Sequence, residues 1–198
     1  MRFSRIYAVG LLAVVVLALP APAQPPQTGG STVIDRWIKL ENCKLIDDEY
    51  MDGDSFHVRY DKEDYIIRLY FVDAPETDTS LAQRIAEQAE YWGIEPDDIP
   101  KLGEKARRFT DQQLRRDFTV YTKWANAAGQ SRQRRYFGVV TIGNKNLADL
   151  LIEEGLARVY GASVTMPDGR NATTIYDQLR ALETRAKQQK KGAWGAGR

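Results

Sequence analysis

Three short stretches hold carboxylates and an arginine that could act together on a phosphate ester. Asp52-Gly53-Asp54-Ser55 is an acidic tight turn, Arg68 stands inside an apolar run, and Val72-Asp73-Ala74-Pro75-Glu76-Thr77 is a second acidic turn. Carboxylates suit a hard cation such as calcium, because oxygen donors match a small, weakly polarisable charge. Arginine offers a planar fork of donors that fits a phosphate and never loses its charge. Brought together, these groups point to metal-assisted chemistry on a phosphodiester. Each stretch also has a plainer reading. Asp52 and Asp54 suit a turn around Gly53, Asp73 to Glu76 suits the start of a helix whose dipole favours Glu76, and Arg68 suits a structural ion pair. A calcium loop of the EF-hand kind is excluded, because the position that needs a bidentate glutamate is Arg59.

These residues need elements to hold them. Residues 42–46 and 55–60 read as strands, the second with Phe56, Val58 and Tyr60 alternating against polar neighbours. Asp61 to Asp64 is a turn, and Tyr65 to Val72 is a β-branched and aromatic run that reads as one buried strand. Arg68 in its middle must find a partner, since an unpaired buried charge is too costly. Strict alternation puts Arg68 and Asp73 on opposite faces, so a shared site requires the strand to end or twist before Asp73. Helical spacing marks 80–93, 103–114, a short helix from Leu147 that stops at Gly155, and 174–191. Further strands fall at 118–124, 135–142 and 156–160, with a loop over 125–130. Strands come early and in the middle with helices inserted and appended, which favours α+β with a small barrel or curled sheet over βαβ alternation.

Charge is unevenly spread. Residues 41–100 hold 17 acids against 5 bases, whereas 101–135 hold 10 bases against 3 acids. A folded chain could thus set an acidic pocket beside a basic surface able to hold a polyanion, although solvated helix faces account for the same pattern. Residues 1–23 read as an export signal: Arg2 and Arg5, an apolar run from Ala8 to Leu19, then Ala21-Pro22-Ala23. The run is short for a span of roughly 20 residues, so the protein is expected to be exported, secreted or periplasmic, without stable membrane association after cleavage. A retained anchor is the alternative. Residues 24–40 read as a flexible segment before a single domain. Cys43 is the only cysteine, so no internal disulfide supports that domain and its core must. His57 is expected on a solvated strand face, Trp124 and Trp194 in the core, and Tyr160 as a candidate nucleotide contact.

Four blocks in order carry a resemblance to the staphylococcal nuclease-like (thermonuclease) family, from about Glu41 to Trp194. They are Asp52-Gly53-Asp54-Ser55, then Arg68-Leu69-Tyr70-Phe71-Val72-Asp73-Ala74-Pro75-Glu76-Thr77, then Gly103-Glu104-Lys105-Ala106, and finally Arg135-Tyr136-Phe137-Gly138 running on to Leu147 and Gly155-Leu156-Ala157. The resemblance implies an α+β domain over 41–195, an OB-fold five-stranded β-barrel with flanking helices. It implies a monomeric, calcium-dependent endonuclease that hydrolyses DNA and RNA and leaves 3′-phosphate ends. By position, Asp54 and Asp73 would bind Ca2+ with the backbone oxygen of Ala74. Glu76 would orient or deprotonate the attacking water, Arg68 and Arg135 would clamp the phosphate, and Asp52 would support the metal ligands. The chain departs from the family pattern at Ala74, often threonine, and at Ser131-Arg132-Gln133-Arg134-Arg135, which leaves Arg134 as a rival to Arg135. The stretch from Asp78 to Pro100 is longer and adds a helix beside the second acidic turn. The alternative function is a catalytically silent OB-fold module that binds nucleic acid, and a more distant one is an envelope-tethered interaction protein.

Overall fold

The computed structural model describes residues 36–47, 51–127 and 133–196. The export signal, most of the 24–40 segment and part of the 125–130 loop lie outside the described residues. In chain order the elements are β1 (Ile38–Leu45), β2 (Ser55–Tyr60), β3 (Glu63–Leu69), β4 (Val72–Asp73), α1 (Ala82–Trp92), α2 (Ile99–Leu114), β5 (Phe118–Asn126), β6 (Arg135–Ile142), β7 (Lys145–Asn146), α3 (Leu147–Glu153), β8 (Arg158–Val159) and α4 (Ala172–Gln188). The main sheet runs β3-β2-β1-β5-β6 through antiparallel pairs, with β7 beyond β6. A parallel pairing of β3 with β6, Arg68 opposite Phe137, closes five strands into a barrel. The α+β class and the OB-fold barrel are therefore as expected.

Alternation explains the barrel interior. Leu40, Phe56, Val58, Ile67, Val120 and Val140 are all fully buried, each from an inward position of its strand. Two departures from the sequence reading matter. First, β1 begins at Ile38, inside the 24–40 stretch expected to be flexible and ahead of the strand read over 42–46. A bulge hides it: Asn42 has φ 58 and the register against β5 shifts between Leu40 and Cys43, so the inward positions lose their period of two. Second, the 65–72 run is not one strand. β3 stops at Leu69, Phe71 takes φ 70, and Val72–Asp73 pairs with β8 instead. This is the break the site needs between Arg68 and Asp73.

Helix α2 packs on β1 and helix α3 on β6. α2 starts at Ile99, ahead of the expected Gly103, because Ile99 itself is a fully buried anchor and Pro100 fits a first turn. α3 and α4 pack through Leu147, Leu151, Ile152 and Leu179, all fully buried. Asn171 caps α4 by accepting from Thr174 N at 2.9 Å. No helix among the described residues is long and apolar enough to cross a membrane.

Candidate active site

The two acidic turns are held by backbone bonds to β3, by the Asp52 and Asp54 side chains and by α2. Asp52 N donates to Ser55 O at 2.8 Å, and Leu69 N donates to Asp54 O at 2.9 Å, which clips the first turn to the end of β3. Thr110 on α2 donates its hydroxyl to Gly53 O at 2.6 Å. A Cβ on Gly53 would sit 2.7 Å from Ala106 Cβ and 3.0 Å from Ala74 Cβ. A Cβ on Gly103 would sit 2.7 Å from both Pro75 O and Glu76 O. The third sequence block, Gly103 to Ala106, is thus where α2 lies flush on both turns. Gly103→Ala presses on backbone that cannot rotate aside, and it should cost about 1–3 kcal/mol. Urea unfolding measures it, and an unchanged midpoint would show that the turn yields freely.

Charge converges inside this frame. Arg68 Nη2 lies 2.9 Å from Asp54 Oδ2 and 2.8 Å from Asp73 Oδ1, so one nitrogen bridges both carboxylates. Asp54 Oδ2 also accepts from Ala74 N at 2.8 Å. Arg84 on α1 donates from Nη2 to Asp73 Oδ1 at 2.8 Å and from Nε to Glu76 Oε1 at 2.6 Å. Arg158, opposite Asp73 in the β4–β8 pair, donates from Nε to Asp73 Oδ2 at 2.8 Å. Gln88, fully buried on α1, donates to Asp73 Oδ2 at 3.1 Å and to Ala74 O at 2.9 Å, and accepts from Glu76 N at 2.9 Å. Thr77 donates its hydroxyl to Asp52 Oδ1 at 2.9 Å.

The electrostatics follow from burial and from these partners. Burial raises the Asp54 pKa, and the neighbouring Asp73 and Asp52 charges add to that against Arg68. Burial also works against charge on Asp73, but Arg68, Arg84 and Arg158 outweigh it and hold its pKa below the usual carboxylate range. Asp52 and Glu76 are both raised, chiefly by burial. Arg135 is lowered by burial and by the nearby Arg68, with Asp54, Asp52 and Glu76 opposing, so its guanidinium shares the same field.

Asp52, Asp54, Arg68, Asp73, Ala74 and Glu76 are therefore gathered at one place, with Arg135, opposite Ile66 at the start of β6, within electrostatic reach of them. Arg134 is not gathered with them. It is exposed, and its Nη1 lies 3.5 Å from the hydroxyl of Tyr136, whose ring packs with Tyr65 and Trp124. Tyr160 is 53% exposed and stacks at 4.4 Å on Arg158, one residue pair from Asp73. The sequence reading did not single out Arg84, Gln88, Thr77 or Arg158. Arg158 carried a signal, being one arginine within the apolar stretch 156–160, the logic already applied to Arg68. Arg84 and Gln88 lie one turn apart beside the buried Ile85 and Ala89, a polar pair at the margin of an apolar helix face.

Among the described residues no group of three or more His, Cys, Asp or Glu side chains stands ready to hold a metal ion. The donor chemistry nevertheless fits a hard cation: two carboxylates converge, both reaching a single positively charged nitrogen, and the Ala74 carbonyl shares the Gln88 amide with Asp73. What stands between them now is Arg68, and Asp73 already accepts hydrogen bonds from four donors.

A family model described as staphylococcal nuclease homologue matches residues 66–196, well over half of the 198-residue chain. The match takes in Arg68, Asp73, Ala74, Glu76, Arg135 and α1. It starts after the first acidic turn, which joins the site through the contacts above. No curated protein matches the chain.

Proposed function

Because the chain belongs to the staphylococcal nuclease homologue family, we propose that it is an exported calcium-dependent endonuclease that hydrolyses phosphodiester bonds of DNA and RNA, leaving 3′-phosphate ends. One observation carries the reading. The Arg68 guanidinium and the Asp54, Asp73 and Glu76 carboxylates, from two turns and a strand, meet in a single cluster. A phosphodiester resists attack because its charge repels nucleophiles and its leaving alkoxide is poor. Calcium held by Asp54, Asp73 and the Ala74 carbonyl would polarise a phosphate oxygen and acidify a water.

The chain's own residues supply the remainder. Glu76, anchored through its backbone N–H by Gln88, takes the proton of the water that attacks phosphorus. The new bond runs from that water oxygen to phosphorus. The P–O5′ bond breaks in line with it, and the departing 5′ oxygen takes a proton from solvent. Arg68 and Arg135 donate to the equatorial oxygens, where charge accumulates, and such donors contribute more in the transition state than in the ground state. Asp52, tied to Thr77, keeps the two acidic turns together.

Plasmid DNA incubated with the mature protein and calcium should be cut, cutting should stop on adding a calcium chelator, and excess calcium should restore it. Cleavage that ignores the chelator rejects the metal role. Retention of DNA without cleavage, with or without calcium, supports the silent binding module instead.

A further inference from the structure

Helix α1 lies within the 78–100 stretch, and it reaches into the site with two side chains. Gln88 staples the 73–76 turn, and Arg84 grips Asp73 and Glu76 with one guanidinium. A carboxylate offers about four lone-pair directions. Those of Asp73 face Arg68, Arg84, Gln88 and Arg158. A cation taking Asp73 as a ligand therefore needs one of these donors to withdraw.

The four are not equally free to do so. Gln88 is fully buried and also holds the backbone at Ala74 and Glu76. The Arg158 side chain is 6% exposed and lies against the Tyr160 ring. The Arg68 side chain is 20% exposed and rises from the strand that closes the barrel. The Arg84 side chain is 37% exposed, on a long stem from a surface helix, with water beside it to receive the charge.

We propose that Arg84 is a displaceable internal counter-ion, which neutralises Asp73 and occupies Glu76 in the metal-free protein and turns out to solvent when calcium is bound. The inference rests on the calcium-dependent reading of the site. Its physical content is a coupling. The same guanidinium holds a metal ligand and the proton acceptor, so loss of one contact loosens the other. Glu76 is then released for the attacking water only when the cation that the reaction needs is in place. Arg84 and calcium compete for Asp73, and removing the competitor strengthens calcium binding.

The test is isothermal titration of calcium chloride into metal-stripped mature protein, with thermal melts of the same samples. Arg84→Gln should bind calcium at least roughly tenfold more tightly than wild type, the scale of one lost charge-assisted hydrogen bond. Arg84→Lys keeps the charge but loses the fork that spans both acids, and it should fall between the two. It also keeps the proposal testable should the glutamine variant fold poorly. Arg180→Gln, which removes a charge from α4 where the arginine faces Tyr176, should leave calcium affinity unchanged. Without metal, Arg84→Gln should melt below wild type, and saturating calcium should narrow that gap. Equal or weaker calcium binding by Arg84→Gln overturns the proposal and makes Arg84 a holder of the ligands. Absence of calcium binding in wild type and in both Arg84 variants defeats the calcium reading itself, a result distinct from wild-type binding that Arg84→Gln leaves unaltered.

Discussion

Glu76→Gln should lower kcat on single-stranded DNA by roughly a hundredfold to ten-thousandfold, the range lost with a positioned general base, and should not weaken calcium affinity. Glutamine has the shape of glutamate, and its amide oxygen can still accept from Arg84 Nε, which meets Glu76 Oε1 at 2.6 Å. The backbone at this position stays pinned, because Glu76 N donates to the buried Gln88. What the substitution removes is the capacity to take a proton from water. Glu76 is not among the metal ligands named by position, so calcium binding should not weaken while turnover collapses; a neutral partner for Arg84 can only ease its release from Asp73. Single-turnover rates with saturating DNA separate this from a binding defect, since a lost general base lowers kcat and leaves KM close to its starting value. A variant that keeps turnover within a few-fold of wild type would remove Glu76 from the proton transfer. In that case the Arg84 contact would be a structural ion pair only.

How much of this site could be read from the chain depends on the distance over which each constraint acts. The acidic turns, the lone arginine in an apolar run and the strands over 55–60 and 135–142 were legible, because turn chemistry and period-two alternation are local signals. The closure of β3 on β6 was carried only by family likeness, since parallel pairing of strands far apart in sequence leaves no local trace. Sequence showed that Arg68 and Asp73 conflict on a single strand. The remedy, a left-handed residue at Phe71 and a switch of pairing partner from the barrel to β8, comes from tertiary contacts that no window of the chain contains. β1 was partly concealed because the bulge at Asn42 interrupts its alternation. Arg84 escaped notice for a different reason. On a helix margin, an arginine aimed at a buried carboxylate has the same sequence context as one in water, and only the path of α1 across the 73–76 turn tells them apart.

Arg68→Ala should weaken both reactivity and the metal-free fold, and the two losses should respond differently to rescue. For reactivity, one donor to the charged oxygens disappears, and kcat/KM should fall by roughly a hundredfold to a thousandfold. For stability, the guanidinium that joins Asp54 to Asp73 is gone, and both carboxylates are almost wholly buried, at 3% and 1% side-chain exposure. Asp73 keeps Arg84 and Arg158, so the loss falls mainly on Asp54. Breaking such a buried pair should cost about 3 kcal/mol in metal-free protein, read as a lower urea midpoint. Calcium binds the native state and so raises stability by mass action, and it brings positive charge back beside Asp54. The stability gap between variant and wild type should therefore shrink at saturating calcium, while the rate defect persists because no metal restores the lost fork. Arg68→Lys sharpens the distinction: its charge should recover much of the metal-free stability, but an ammonium lacks the planar pair of donors and should recover little of the rate. Were Arg68→Ala to match wild type in metal-free stability, the bridging contact would carry no weight. Full activity in Arg68→Lys would mean that positive charge, and not the geometry of the guanidinium, is what the phosphate requires.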